Sequence, residues 1–317
     1  MKVIDHINES KGKTLISFEI LPPLKGKGIA AIYDHLDPLM EFKPAYINVT
    51  YHRSEHIFKK RADGSFEKVV IRKRPGTEAI CASIMNRYDV DTVPHLICGG
   101  FSVQETEDAL LTLNYLGIDN VLVLRGDAPR NMAFFEPEPD GHKYAIDLLK
   151  QVVCMNKGLY LEEELKGALM TNFSVGVAGY PEKHFEAPNM QADLMYLKAK
   201  VDAGADYVVT QMFFDNKVFF EFEKKCRDIG IEVPIIPGLK PVTSKKQLVS
   251  IPKTFYVDIP DELSQEIMKC NSEKDVEKIG TQWLLQQSIE LKRAGVPVLH
   301  YYTLGKPDIV VNVVKDL

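Results

Sequence analysis

No stretch of this 317-residue chain approaches eighteen consecutive apolar residues, and its first residues, MKVIDHINESKGK, lack the apolar centre of a secretion signal. Neither a spanning helix nor export is therefore expected, and the cytoplasm is the default setting. The five cysteines, Cys81, Cys98, Cys154, Cys226 and Cys270, are odd in number and widely spaced, with no C-x-x-C pair. That pattern indicates neither a zinc site nor a disulfide framework. A basic excess is also missing: the formal net charge is −5, against the basic face that a nucleic-acid partner requires. No G-x-G-x-x-G follows the first apolar run and no G-x-x-x-x-G-K-[ST] occurs anywhere, so both glycine-rich phosphate cradles are absent.

What is present is an ordinary globular composition, 45% hydrophobic and 26% charged, in a length that suits one large domain or two smaller ones. Short β-branched runs recur at 14–23, 45–51, 92–100, 120–127, 173–181, 207–215, 233–239 and 296–304. They are almost continuously apolar rather than alternating, as expected of parallel strands covered on both faces. Helical patterns lie between them. Ser102 and Glu105 form a capping box before Ala109, Leu113 and Leu116, with Gly117 as the stop. Val276, Ile279 and Trp283 mark a second helix over 273–294. The alternation predicts an α/β fold, a single (β/α)8 TIM barrel over residues 1–317, with a doubly wound open sheet as the alternative. Pro94 and Pro234 are placed at strand starts, where a missing N–H is tolerated. One connection is long: residues 52–75 read as an inserted hairpin after the second strand, turning at Asp63-Gly64.

A barrel selects candidate residues, because the C-terminal ends of its strands converge on one mouth. Those ends carry Glu19, Thr50 and Tyr51, His95, Arg125 to Asp127, Tyr180, Gln211, and His300 to Thr303. Glu19 lies between Phe18 and Ile20, and such apolar company is expected to raise its pKa toward the range of a general acid; an ion-paired carboxylate is the plainer alternative. Asp127 can be a catalytic acid or the local ion-pair partner of Arg125. His95 fits a hydrogen-bonded core histidine. Gln211 ends a buried strand, and its amide suits the edge of a heterocycle. Met212-Phe213-Phe214 and Tyr301-Tyr302 would ordinarily be core, but at a mouth they can meet a planar ligand.

Nine segments in order, SFEILPP, NVTY, PHLICGG, LRGD, AGYPEKHFEAP, QADL, VDAGADYVVTQMFFD, IIPGLKPV and HYYTL, resemble the methylenetetrahydrofolate reductase family from about residue 14 to 306. The resemblance implies a bacterial-type catalytic barrel that binds FAD non-covalently. It also implies ping-pong hydride transfer from NADH or NADPH through the flavin to 5,10-methylenetetrahydrofolate, in one-carbon metabolism and methionine biosynthesis. By that resemblance Glu19 is the general acid, Asp127 tunes the flavin and stabilises an iminium, and Gln211 contacts the pterin and then the nicotinamide. The positions Thr50, Tyr51, His95, Leu124, Arg125, Gly126, Asp127, Tyr144, Ala145, Tyr180, His184, Ala187, Asp193 and Lys200 match cofactor-binding ones. Glu19, Gln211, Gln247 and Lys306 match the substrate side, Lys306 standing where some relatives carry arginine and able to meet a glutamate tail as a point charge.

Departures from the family pattern are also visible. Tyr196 and Ala199 stand where some relatives carry Asn and Arg, so part of the FAD phosphate or ribose binding is expected from elsewhere. Ile251 stands where an aromatic can stack on the nicotinamide cofactor, and His52-Arg53 replace small residues. The chain is expected to lack the C-terminal regulatory domain of eukaryotic forms and to form a homo-oligomer, with no nucleic-acid or membrane partner and no metal. Two readings without redox chemistry stay open: a pterin-binding barrel that transfers a one-carbon unit, and a barrel that only binds.

Overall fold

The computed structural model describes residues 1–128, 132, 134–162, 165, 167–303 and 306–317, and only the backbone of residues 55 and 56. Along the chain run α1 (Val3–Glu9), β1 (Leu15–Ile20), α2 (Ala30–Met40), β2 (Tyr46–Val49), β3 (Glu55–Lys60), β4 (Phe66–Ile71), α3 (Thr77–Tyr88), β5 (Asp91–Ile97), α4 (Val103–Tyr115), β6 (Asn120–Leu124) and α5 (Ala145–Met155). There follow β7 (Ser174–Gly179), α6 (Met190–Asp202), β8 (Tyr207–Thr210), α7 (Asn216–Asp228), β9 (Ile235–Ile236), β10 (Gly238–Leu239), α8 (Gln247–Phe255), α9 (Asp261–Lys269), α10 (Glu273–Arg293), β11 (Val298–Tyr302) and α11 (Pro307–Lys315). Nine parallel strands form one sheet in the order β10-β11-β1-β2-β5-β6-β7-β8-β9.

Both edge strands of that list belong to one apolar run, divided at Pro237. Ile236 pairs with Val209 of β8, while Gly238 pairs with His300 of β11. The amide of His300 donates to the carbonyl of Pro237 at 3.2 Å, and that of Gly238 to the Thr210 hydroxyl at 3.0 Å. A proline has no N–H to give, so the run breaks there and each half bonds a different neighbour. The barrel is thereby nearly closed by eight staves, as the alternation predicts. Gly238 is required at the break, since a Cβ on it would lie 2.3 Å from the Thr210 carbonyl oxygen and 2.4 Å from the Tyr302 hydroxyl.

Alternation along the strands sorts side chains into two separate apolar clusters. Phe18, Ile47, Val49, Val121, Val123, Val177, Val208 and Leu299 pack outward against helix residues such as Leu36, Leu110, Leu148 and Phe219. Tyr46, Val93, Leu122, Tyr207, Val209, Ile236 and Val298 fill the interior instead, with Val3 of α1 below them. The amide of Val3 donates to Asn120 Oδ1 at 2.8 Å and the N-terminal ammonium meets Asp91 at 2.5 Å, so α1 plugs the N-terminal end. Polar chemistry is left to the opposite mouth. A third cluster, with Met212, Phe214, Val242, Ile251, Val257 and Leu263, packs the α8–α9 segment beside that mouth.

Two local expectations need correction. Pro94 is not at a strand start but fourth of seven residues in β5, in register with Val49. β5 pairs with β2 over Asp91 to Pro94 and with β6 only from His95 onward, so the missing donor falls where the ladder passes from one neighbour to the other. Pro234 does precede its strand. On α4 the capping box forms, Glu105 N to Ser102 Oγ at 3.1 Å and Ser102 N to Glu105 Oε2 at 2.7 Å. The buried face of that helix is Thr106, Leu110 and Leu113, however, and Leu116 is exposed. The arms of the 52–75 segment pair antiparallel from Glu55↔Ile71 to Lys60↔Phe66, turning through Asp63 and left-handed Gly64.

Candidate active site

Ser17 and Glu19 leave β1 on its inner side, opposite the outward Phe18 and Ile20. Glu19 is buried, and its carboxylate lies 3.3 Å from His95 Nε2 and 3.5 Å from His300 Nε2. On its other face His300 Nδ1 is 2.8 Å from the Ser17 hydroxyl. The neutral tautomer protonated on Nε2 satisfies both contacts, accepting from Ser17 and donating to Glu19. His95 Nε2 also lies 3.3 Å from the Asn48 amide nitrogen. That ring nitrogen donates to Glu19 only when protonated and accepts from Asn48 only when not.

The expected rise in the Glu19 pKa is overturned. Burial does push its carboxyl upward and is the largest single influence, but the charges and hydrogen bonds of His95 and His300 together outweigh it and hold the pKa down at about 2. Glu19 is therefore an ionised carboxylate set between two imidazoles rather than a lone carboxylic acid. His300 and Ser17 carry this arrangement; His300 was placed at the last strand end without a role, and Ser17 was not singled out. The signal was available in HYYTL at the last strand end and in the period-two spacing of Ser17 and Glu19.

Asp127 and Arg125 do not pair. The Arg125 guanidinium binds Glu186, whose carboxyl is lowered by that bond, and lies 5.1 Å from the Phe135 ring centre. Asp127 is exposed, and its charge acts on His52 and Tyr180. His52 also feels Glu19 and His95, and burial, then Arg74 and His95, lower its pKa. Between the two charged residues Gly126 takes φ +84°, and a Cβ there would stand 3.3 Å from Ile97. Gln211 directly follows β8, and its Oε1 accepts from the amide of Met212 at 2.9 Å.

The remaining predicted positions fall into three groups. At the end of β2, the buried Thr50 hydroxyl has no hydrogen-bond partner among the described residues, and Tyr51 packs 5.0 Å from Phe101. From β6 to α6 come Leu124, Tyr144 and Ala145 at the start of α5, and Tyr180, whose ring meets His184 at 4.7 Å. The His184 amide donates to buried Asp193 at 2.9 Å, and the Ala187 amide to the carbonyl of His184 at 3.0 Å. Lys200 donates to the carbonyl of Ala178 at 2.6 Å; burial lowers its pKa to about 8 against the charge of Asp193. Tyr196 and Ala199 stay exposed on the outside of α6, and Ile251 is buried in the satellite cluster. The third group is Gln247, whose Oε1 accepts from the Thr243 amide at 2.6 Å, and Lys306, whose ammonium meets Glu277 at 2.6 Å. Lys306 is thus on the rim rather than in contact with Glu19.

A nearly closed parallel barrel with titratable side chains gathered at the C-terminal ends of its strands is the arrangement of the TIM-barrel enzymes. Within that class the chain belongs to the methylenetetrahydrofolate reductase family, whose family model matches residues 2–317. It is 31% identical over 314 residues to 5,10-methylenetetrahydrofolate reductase of Escherichia coli, covering 96% of this chain and 92% of that protein. It is also 31% identical over 330 residues to methylenetetrahydrofolate reductase (NADH) 1 of Arabidopsis thaliana, covering all of this chain and 51% of the plant protein. The chain thus spans about half the length of such plant relatives. Among solved structures, a Clostridium thermocellum protein that binds two copies of 5-methyl-5,6,7,8-tetrahydrofolic acid shares the fold, with TM-score 0.60, 14% identity, and 99% and 98% of the two chains covered.

Proposed function

We propose that this chain reduces 5,10-methylenetetrahydrofolate to 5-methyltetrahydrofolate with NADH or NADPH, using non-covalent FAD. The observation that carries this reading is the buried Glu19 set between His95 and His300 at the mouth of a barrel of this family. The residues at the mouth fit a flat anionic cofactor. Thr50 offers a buried hydroxyl without a partner, Gly126 brings a left-handed backbone to the strand end, and Arg125 and Lys200 supply positive charge. Thr50, Tyr51, His95, Leu124 to Asp127, Tyr144, Ala145, Tyr180, His184, Ala187, Asp193 and Lys200 would hold it. When bound, FAD supplies the ring that takes a hydride from the nicotinamide and gives it to the folate, in ping-pong order.

The chain's own groups handle the proton. Opening the five-membered ring of the folate to a 5-iminium cation needs a proton on the departing nitrogen, and the Glu19 cluster is the store. Protonation of His300 or His95 places that proton next to the Glu19 oxygen, which passes it to substrate and regains it from the imidazole. Ser17 fixes the His300 ring, so Nε2 rather than Nδ1 faces the carboxylate. Asp127 places a negative charge at the end of β6, where it stabilises a developing cation. Gln211 has its amide nitrogen to offer to a pterin edge, its oxygen being held by Met212.

The proposal includes a cytoplasmic homo-oligomer; no helix among the described residues is long and apolar enough to cross a membrane. Purified protein incubated with FAD and desalted should retain a flavin absorption band. A colourless protein would sink the reductase reading and leave transfer of a one-carbon unit without redox chemistry.

A further inference from the structure

The segment Leu21 to Leu24 after β1, the first turns of α2 and the Arg74 side chain enclose a cavity of about 270 Å³. Ile20 and Ile32, which floor it, belong to the apolar cluster between strands and helices. The cavity therefore lies outside the barrel wall, across β1 from the side to which Glu19 points. Three basic side chains, Lys27, His35 and Arg74, line it beside the apolar wall, and no carboxylate among the described residues does so. That is unusual company in a chain of net charge −5. Arg87, Arg125 and Arg227 each meet a carboxylate. Arg74 instead donates to the carbonyl of Pro22, its one hydrogen bond among the described residues, and burial lowers its pKa. A half-buried guanidinium with five donors and a single carbonyl leaves most of its bonding capacity for an anion from outside.

His35 ties the cavity to the site across the strand. Its Nε2 lies 2.7 Å from Thr303 Oγ1, and that hydroxyl donates to the carbonyl of Glu19 at 2.8 Å. The Thr303 amide donates to the same carbonyl at 3.1 Å. A hydroxyl has one proton to give, so His35 is the donor in its bond to Thr303. Burial lowers the His35 pKa against the charge of Asp308. We propose that this cavity is an effector site for a small carboxylate with an apolar body. Its anionic head would meet Arg74 and Lys27, its body would lie along Leu21 to Leu24, and its presence would reach Glu19 through His35 and Thr303. The cavity is slightly smaller than the about 300–1,000 Å³ of drug-sized ligand sites, which keeps the occupant small. The binding site stands apart from the reductase reading; its effect on the folate step rests on that reading.

The experiment titrates the full chain, with FAD present, with 4-methylpentanoate, its neutral amide and inorganic phosphate, followed by ligand-observed NMR. The carboxylate should bind with a Kd on the order of 1 mM or below, and the amide and phosphate at least about tenfold more weakly. Arg74→Met should weaken the carboxylate about 10- to 100-fold, while Arg74→Lys keeps most of the affinity. Ala31→Leu, which fills the cavity without touching a charge, should weaken it as well. Excess NADH or tetrahydrofolate should not displace it, because neither enters a cavity outside the barrel wall. In anaerobic stopped flow, saturating 4-methylpentanoate should change flavin reoxidation by 5,10-methylenetetrahydrofolate about fivefold or more. It should leave reduction by NADH unchanged, and Ala31→Leu should abolish the effect. The proposal is overturned if the carboxylate does not bind, if the amide or phosphate binds as well, or if NADH or folate displaces it. Binding retained in both Arg74→Met and Ala31→Leu, or binding that alters neither half-reaction, overturns it too. A chain that binds the probe as described but never reduces the folate would refute the reductase reading and with it the effector role, while the carboxylate site would stand.

Discussion

Replacing Glu19 by glutamine keeps the side chain's shape and removes its charge from between two imidazoles. Two effects follow, and their sizes differ. The carboxyl pKa falls from 4.5 to about 2 on folding. A depressed carboxylate contributes stability that is fully present above pH 4.5 and is lost as the pH falls through about 2. The shift corresponds to about 3 kcal/mol at neutral pH, as an upper figure for the charged part of the interaction. The amide oxygen of glutamine still accepts from one imidazole, so a loss of about 1–2 kcal/mol is expected, a few degrees in Tm. The catalytic effect should be larger and one-sided. General-acid assistance contributes about 10²–10⁴-fold, and only the folate half-reaction needs that proton. In anaerobic stopped flow, Glu19→Gln should leave flavin reduction by NADH within about threefold of wild type. Flavin reoxidation by 5,10-methylenetetrahydrofolate should slow by the full factor. Equal slowing of both half-reactions in a folded, yellow variant would show that Glu19 only supports the mouth, and the proton-store argument would fail.

Three further outcomes are expected. Asp127→Asn removes a negative charge at the end of β6 without breaking a bond to Arg125, which is held by Glu186; it should raise the flavin midpoint potential by roughly 20–30 mV for each kcal/mol of repulsion removed, and an unchanged potential in spectroelectrochemical titration would leave Asp127 without a tuning role. Burial, reinforced by Asp258 and Asp215, raises the Glu182 carboxyl from 4.5 to about 7 against the Asp258 amide that donates to it at 2.5 Å. A raised carboxyl makes stability fall as pH rises from 4.5 through about 7; discounted for its partial exposure the loss is about 1 kcal/mol, and urea unfolding at pH 5 and pH 8 should show it in wild type but not in Glu182→Gln. Gly280 of α10 has the Val242 carbonyl oxygen 1.9 Å from where a Cβ would stand, so Gly280→Ala should lose about 1–3 kcal/mol despite the better helix propensity of alanine, and a urea midpoint at or above wild type would contradict the packing described.

Much of this barrel was legible from local pattern. Buried parallel strands are apolar on both faces, so all eight runs stood out, and the capping box at Ser102 and the Asp63-Gly64 turn are decided by residues three or fewer apart. What could not be read depends on partners brought together by closure. Phe18 and Ile20 flank Glu19 in sequence but point to the other side of β1, so they say little about its carboxyl. The groups that set its pKa come from β5 and β11. The same holds for Arg125, whose neighbour in sequence is Asp127 but whose ion-pair partner is Glu186, on the loop after β7. Pro237 splits one run into two short strands only because different neighbours claim its two halves.

The most direct test of the account is a single turnover without oxygen. FAD-loaded protein is reduced by one equivalent of NADH and then mixed with 5,10-methylenetetrahydrofolate. The account predicts that the oxidised flavin band returns and that 5-methyltetrahydrofolate appears in equal amount. A flavin that stays reduced, with the folate recovered unchanged or stripped of its one-carbon unit, would contradict it.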